Sequence, residues 1–280
     1  MKVIGICIGL LLAGAAPLVA APAARTHLVV QHDNVRIDTI AEGEGPAIVL
    51  LPSLARDSED YDAVAEGLAA KGFRVLRPQP RGIGGSTGPL TGTSLHDFAR
   101  DVAEVVARAG GGHAVLVGHA YGNWVARMTA TDFPQAVRGV AIVAAAAKQY
   151  DPALSAEIDK AGNPALPETV RLAALRAAFF APGNDPRPWL TGWHPDIRAA
   201  QRAAAAAVKQ SDWWAGGTAP ILDLQAANDP FRTPDTRNEL KDAFGDRVTV
   251  TVIPHASHAL MPEQPAAVVD ALAAWIGKLP

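Results

Sequence analysis

Short apolar runs rich in β-branched residues alternate with helix-period segments along most of this chain. That alternation limits the fold to βα units wound around a mostly parallel sheet. Residues 27–32 and 34–40 read as two leading strands turned at Asp33-Asn34. Residues 47–51 form a buried run, 60–71 a helix with Val64 and Leu68 four apart, and 73–77 a strand closed by Pro78 and Pro80. Ser94 caps a helix through 109 whose Leu95, Phe98, Val102, Val105 and Val106 share one face. Strand 114–118, helix 123–131 and strand 137–145 follow, and after an interruption the rhythm resumes with strand 220–226, helix 235–244, strand 247–253 and helix 263–278.

The interruption, residues 148–217, is far longer than an ordinary loop, so it is either functional or a subdomain of its own. It is rich in Ala and Pro, has helical patches at 167–180 and 197–210, and carries Trp189, Trp193, Trp213 and Trp214, four of the six tryptophans. We expect a helical lid. Its aromatics, with Phe179-Phe180, either line an apolar pocket or form the lid's own core.

At the N-terminus, Lys2 precedes an apolar run from Val3 to Leu12, then small residues and Ala21-Pro22-Ala23. This layout predicts a cleavable secretory signal over residues 1–24 and a periplasmic or secreted mature protein. The rival is an uncleaved anchor, but Gly14, Pro17 and the alanines make a weak spanning helix, so no stable membrane insertion is expected after cleavage. The single cysteine, Cys7, would leave with the leader, removing any disulfide or thiolate chemistry. With 280 residues, 49% hydrophobic, 19% charged and a net charge of −3, the remainder suits one domain with a sizeable core. No basic stripe argues for nucleic acid. Oligomeric state is not legible.

Strand 114–118 runs into Gly118-His119-Ala120-Tyr121-Gly122, which fits the strand-to-helix turn G-x-S-x-G except at its centre. That turn lifts a serine oxygen above the sheet; the methyl group of Ala120 can neither attack a carbonyl nor donate a proton. Further on, the strand before Asp229 ends in a short acidic turn, Leu224-Gln225-Ala226-Ala227-Asn228-Asp229-Pro230. His258 follows the last strand in Pro254-His255-Ala256-Ser257-His258. A carboxylate on one imidazole nitrogen fixes the tautomer and frees the other as a base, so Asp229 and His258 are a candidate dyad.

Elbow, acid and histidine in this order resemble the α/β-hydrolase superfamily over nearly all of the chain. The resemblance implies the α/β-hydrolase fold: a mostly parallel central sheet flanked by helices, with a helical cap inserted before the acid-bearing strand. It implies a core of residues 25–147 and 218–280 and a cap of 148–217. It also implies catalytic roles for His258 and Asp229 around the non-nucleophilic Ala120, and an oxyanion hole from the backbone N–H groups of Tyr121 and Leu54. In the loop supplying Leu54, the usual His-Gly pair is replaced by Pro52-Ser53. Ser53, His119, Trp189, Trp193 and Trp214 are candidate substrate contacts. Ser53 is either a turn former or a hydroxyl facing the cavity.

Neither a cofactor nor a metal is expected. Arg81-Gly82-Ile83-Gly84-Gly85-Ser86-Thr87 lacks the third glycine of a dinucleotide loop and any following Gly-Lys. The His255/His258 pair has no third ligand cluster. Three readings of Ala120 stay open. It could replace an engineered-away serine, against which the leader speaks. It could be natural in an enzyme whose dyad activates water or abstracts a substrate proton, a serine-independent hydrolase or a lyase-like enzyme acting on a small apolar ester, lactone or carbonyl compound. Or it could mark an inactive pocket that only binds a ligand. The form Gly-His-Ala-aromatic-Gly-Asn resembles exported bacterial hydrolase-like proteins and favours a natural alanine.

Overall fold

The structure is a computed structural model that describes residues 24–280; residues 1–23, including most of the expected leader and Cys7, lie outside the described residues. Strand β1 (Thr26–His32) and strand β2 (Val35–Glu42) form the expected hairpin, with Asp33 at φ 47° in its two-residue turn. Then come β3 (Ala47–Leu51), α1 (Asp62–Ala70), β4 (Arg74–Pro78), α2 (Leu95–Ala109), β5 (Ala114–His119), α3 (Tyr121–Asp132) and β6 (Val137–Val143). The chain next builds α4 (Ala153–Ala161), α5 (Glu168–Ala178), α6 (Pro195–Ala206) and α7 (Gln210–Trp214). It returns through β7 (Ile221–Ala226), α8 (Glu239–Phe244), β8 (Val248–Ile253), α9 (Leu260–Glu263) and α10 (Pro265–Ile276).

The eight strands of the described residues lie in one sheet of order β1-β2-β4-β3-β5-β6-β7-β8. The pairs β1–β2 and β2–β4 are antiparallel and the rest parallel. Alternation along the strands distributes the core: Ile48, Leu50, Val115 and Val117 face α1 and α10, where Val64, Leu68, Leu272 and Trp275 cover them. Val49, Leu51 and Leu116 face the opposite way, toward Val102 and Val106 of α2 and Val125 and Met128 of α3. Ser94 caps α2 as expected, and Asp97 completes a capping box with it.

Several elements differ from the sequence expectation, among them the helix expected over 263–278, which is split into α9 and α10. Residues 58–61 form a 3₁₀ turn before α1 begins at Asp62. The helix expected over 235–244 is a 3₁₀ turn at Pro234–Thr236 followed by the shorter α8. Helix α4 was not expected at all; it buries only Ala161 fully, so its apolar face is too narrow to stand out in the sequence.

Strand order fixes where a ligand would sit. From β3 the chain leaves through α1 toward β4 on one side, while from β5 it leaves through α3 toward β6 on the other. The crevice at such a switch point, beyond the carboxyl ends of the strands, is the usual ligand site of open α/β sheets. Helices α4 to α7 and the segment between them lie over it. Trp189 is the centre of their own small core, 1% exposed, packed with Leu175, Phe179 and Phe180.

Candidate active site

Beyond β5 the chain turns abruptly into α3 at Ala120, whose φ 46° and ψ −112° are a conformation that side-chain-bearing residues rarely adopt. The flanking glycines are sterically required. A Cβ at Gly118 would lie 2.4 Å from the Gly122 carbonyl oxygen and 2.5 Å from Asn123 Cα, and one at Gly122 would lie 2.3 Å from the Leu51 carbonyl oxygen. The turn is pinned by the Ala120 N–H, which donates to the Val143 carbonyl at 3.0 Å. The Asn123 side-chain amide also donates to the Ala120 carbonyl, and the buried Arg127 guanidinium donates to Asn123 Oδ1 from Nε at 3.0 Å.

His258 and Asp229 arrive on the loops after β8 and β7. His258 Nδ1 stands 3.0 Å and 3.2 Å from the two Asp229 oxygens, with both side chains buried. Asp229 Oδ1 also accepts from the Phe231 N–H at 2.9 Å, which fixes the carboxylate in its own turn. The Phe231 ring lies 4.3 Å from the imidazole and the Phe179 ring 5.7 Å. This clamps the ring laterally. With Nδ1–H directed at Asp229, Nε2 is the basic nitrogen, and it has no hydrogen-bond partner among the described residues.

His258 and Ala120 line one cavity of about 280 Å³, together with Ser53, Leu54, Tyr121 and Trp193. The N–H of Tyr121 is the first of α3 and so has no partner within its helix. The N–H of Leu54 likewise donates to no backbone acceptor among the described residues. Two residues with such donors thus line the same cavity as Ala120, an arrangement suited to a developing oxyanion.

His119 lies behind the cavity, fully buried, and does not line it. Its Nε2–H donates to the His258 carbonyl at 2.7 Å, so Nδ1 is the acceptor and receives a hydrogen bond from the Tyr61 hydroxyl at 3.2 Å. The Tyr61 oxygen in turn accepts from the Ser53 N–H at 3.0 Å. One relay therefore joins the loops after β3, β5 and β8. Burial, and then the neighbouring His258, push the His119 imidazole down to about 3, so it stays neutral at working pH.

The candidate substrate contacts thus separate. Ser53 and Trp193 line the cavity, and the Ser53 hydroxyl has no hydrogen-bond partner among the described residues. His119 and Trp189 do not line it, because each is enclosed by other aromatic rings: Trp189 packs against His119, Phe179, Phe180 and Trp193. Trp214 lines a neighbouring chamber of about 420 Å³. No group of three or more metal-ligating side chains occurs among the described residues. Nor is any described helix long and apolar enough to cross a membrane.

Sequence reasoning missed the buried arginines that hold the overlying helices to the sheet loops. Arg56 grips Asp60 through Nε at 2.6 Å and the Thr191 carbonyl at 2.6 Å, with its guanidinium 4.5 Å and 4.7 Å from the rings of Trp189 and Trp193. Arg127 donates to the Trp214 carbonyl at 3.1 Å and lies under both Trp213 and Trp214. Burial lowers its guanidinium to about 9, leaving it charged at neutral pH. The i, i+4 spacing of Asn123 and Arg127 was the available signal; an arginine in a helix pressed against a sheet needs a buried acceptor.

Comparison with known proteins places these features. The profile of the Alpha/beta hydrolase family matches residues 48–271. A 2-(acetamidomethylene)succinate hydrolase of Mesorhizobium japonicum is 28% identical over 127 residues, 44% of this chain and 45% of that protein. A soluble epoxide hydrolase of a Corynebacterium species is 32% identical over 107 residues, 38% of this chain and 37% of that one. The chain therefore spans less than half the length of these two curated relatives. The crystal structure of an E-2-(acetamidomethylene)succinate hydrolase superposes with a TM-score of 0.71 at 21% identity, covering 91% of this chain and all of that one.

Proposed function

From the premise that this chain belongs to the alpha/beta hydrolase family, we propose that it is a hydrolase working without a serine nucleophile. In this reading the His258–Asp229 dyad activates water against a small apolar ester, lactone or related carbonyl compound. One observation carries the proposal: a complete base–carboxylate pair opens onto the same cavity as two unpaired backbone N–H groups, with only the nucleophile's oxygen missing.

A water between His258 Nε2 and the substrate carbonyl gives its proton to the imidazole as its oxygen bonds to the carbonyl carbon. Charge moves onto the carbonyl oxygen, where the Leu54 and Tyr121 N–H groups receive it. Collapse breaks the carbon–oxygen bond to the leaving alcohol, which takes the proton back from the imidazolium. Asp229 stabilises that imidazolium without itself being protonated. Loss of a triad's nucleophile leaves about 10³–10⁴-fold acceleration over water in serine hydrolases, so turnover will be modest. The names of the two relatives, both hydrolases, support the reaction class and leave the substrate open.

The second reading, a pocket that binds a ligand without turning it over, is favoured by Ala120 itself. A panel of esters and lactones decides between them. His258→Ala should remove hydrolysis, whereas Ala120→Ser should raise ester turnover above the parent. If the parent hydrolyses nothing, or His258→Ala leaves its rates unchanged, the binding reading replaces the catalytic one. The charged start at Lys2, the apolar run and Ala21-Pro22-Ala23 support a further part of the proposal, that the protein acts in a periplasm or outside the cell.

A further inference from the structure

The chamber beside Trp214 adjoins the cavity over Ala120. Trp124, Ala146, Tyr150 and Arg202 line both, so the two lie side by side as an inner and an outer end. The inner end holds the dyad and the unpaired N–H groups. The outer end is walled by Trp124 and Trp213, stacked at 5.3 Å, and by Trp214, with the small side chains of Ala205 and Ala206 leaving the room.

Charge distinguishes the outer end. Among the described residues no carboxylate lines either chamber, although the protein has 28 acidic against 25 basic residues. Two basic residues do: Arg202, shared by both chambers, and Lys148, which lines only the outer one. Arg202 is half-exposed and pairs with Asp159 at 2.9 Å, a residue outside the lining. The Lys148 ammonium makes no ion pair among the described residues. The nearest carboxylate to its backbone, Glu239, accepts the Lys148 N–H at 2.9 Å and is itself neutralised by Arg232. A flat aromatic wall, small residues opposite and two cations without a lining anion describe a site for an anion carried on an apolar body.

We propose that the outer chamber is a subsite for a carboxylate-bearing, flat or aryl portion of the ligand, so that the substrate joins this anionic portion to the small apolar ester, lactone or carbonyl portion whose reactive carbonyl lies at the inner end. The placement of that carbonyl rests on the catalytic reading above; the anion subsite itself does not.

The test therefore measures binding, without turnover. Calorimetric titration at low ionic strength compares 3-(2-naphthyl)propanoate with its primary amide, which has the same shape and no charge. The acid should bind about fivefold more tightly, the scale of one or two partly exposed ion pairs. Lys148→Gln combined with Arg202→Gln should bring the acid down to the amide's affinity and leave the amide unchanged. Ala206→Trp, on the exposed end of α6, fills the chamber and should weaken both ligands. Equal affinity of acid and amide, no binding of either, or indifference of the acid to the charge variants or to Ala206→Trp overturns the proposal. Failure of the catalytic reading leaves these results untouched. Conversely, a protein that hydrolyses neutral esters but binds acid no better than amide keeps the reaction and loses the subsite.

Discussion

A serine at the centre of a nucleophile elbow tolerates a strained backbone because the strain presents its oxygen. Ala120 holds φ 46° and ψ −112° with no oxygen to present. Such conformations cost about 1–3 kcal/mol in a residue with a Cβ, and glycine relieves them at about 0.5–1 kcal/mol of added chain entropy. Ala120→Gly should therefore stabilise the protein by about 1 kcal/mol in denaturant unfolding, whereas Gly118→Ala, whose Cβ meets backbone at 2.4 Å, should destabilise it severely. A neutral or destabilising Ala120→Gly would show the turn to be unstrained. The buried His119 gives a second expectation. Its folded-state value, about 3, lies below the ordinary 6.5, so between these limits the unfolded chain binds the extra proton and stability falls with falling pH. Replacing it by Gln removes that linkage. Between pH 6 and 4 the parent should lose about 1.4 kcal/mol per pH unit more than His119→Gln does, read from paired denaturation series. Parallel series would mean that His119 accepts a proton in the fold.

Between elements, the helices over the crevice are held by buried arginines rather than by apolar contact alone. Arg56 is 1% exposed and faces Asp60, whose carboxyl is pushed up by burial against the pull of Arg56. Removing one partner of a buried pair leaves an uncompensated charge and costs about 3–5 kcal/mol, while replacing both by apolar groups is often close to neutral. Arg56→Met alone should be strongly destabilising, and adding Asp60→Leu should recover most of the loss. The contact with the Thr191 carbonyl stays broken in both, so amide hydrogen exchange over 187–194 should remain faster than in the parent even in the double variant. Additive effects of the two substitutions would refute the coupling. The sheet and its helices were legible in the sequence because alternation and capping are local: Ile48 and Val49 face opposite ways for the reason any adjacent strand residues do. Arg56 and Arg127 were not legible as fasteners, because their acceptors at Thr191 and Trp214 lie 135 and 87 residues away.

At the scale of the whole molecule, the candidate site draws on four loops, at 53–54, 120–121, 229 and 258, brought together because β3 and β5 are neighbours at the centre of the sheet and the chain leaves them in opposite directions. Motif order located those loops. It could not give the cavity wall, since Ile158 of α4, Phe179 just after α5 and Trp193 just before α6 reach it only through packing that depends on the rest of the fold. The same scale decides what the proposed removal of the leader does to stability. Strand β1 begins at Thr26, and Arg25 just before it pairs with Asp62 at 2.9 Å and Glu42 at 3.3 Å. A chain starting at Arg25 should keep the sheet edge whole and unfold at the temperature of the longer chain. One starting at Asp33 loses seven strand pairings, the buried Val30, and the His32 contact with Asp101 at 2.8 Å. That loss should lower stability by at least about 3 kcal/mol. Export has its own readout: the chain recovered from the periplasmic fraction of a producing Gram-negative cell should begin between residues 22 and 26 on N-terminal sequencing. Recovery from the cytosol with Met1 or Lys2 still attached would overturn the export proposal, and the two truncations would still report on the sheet edge.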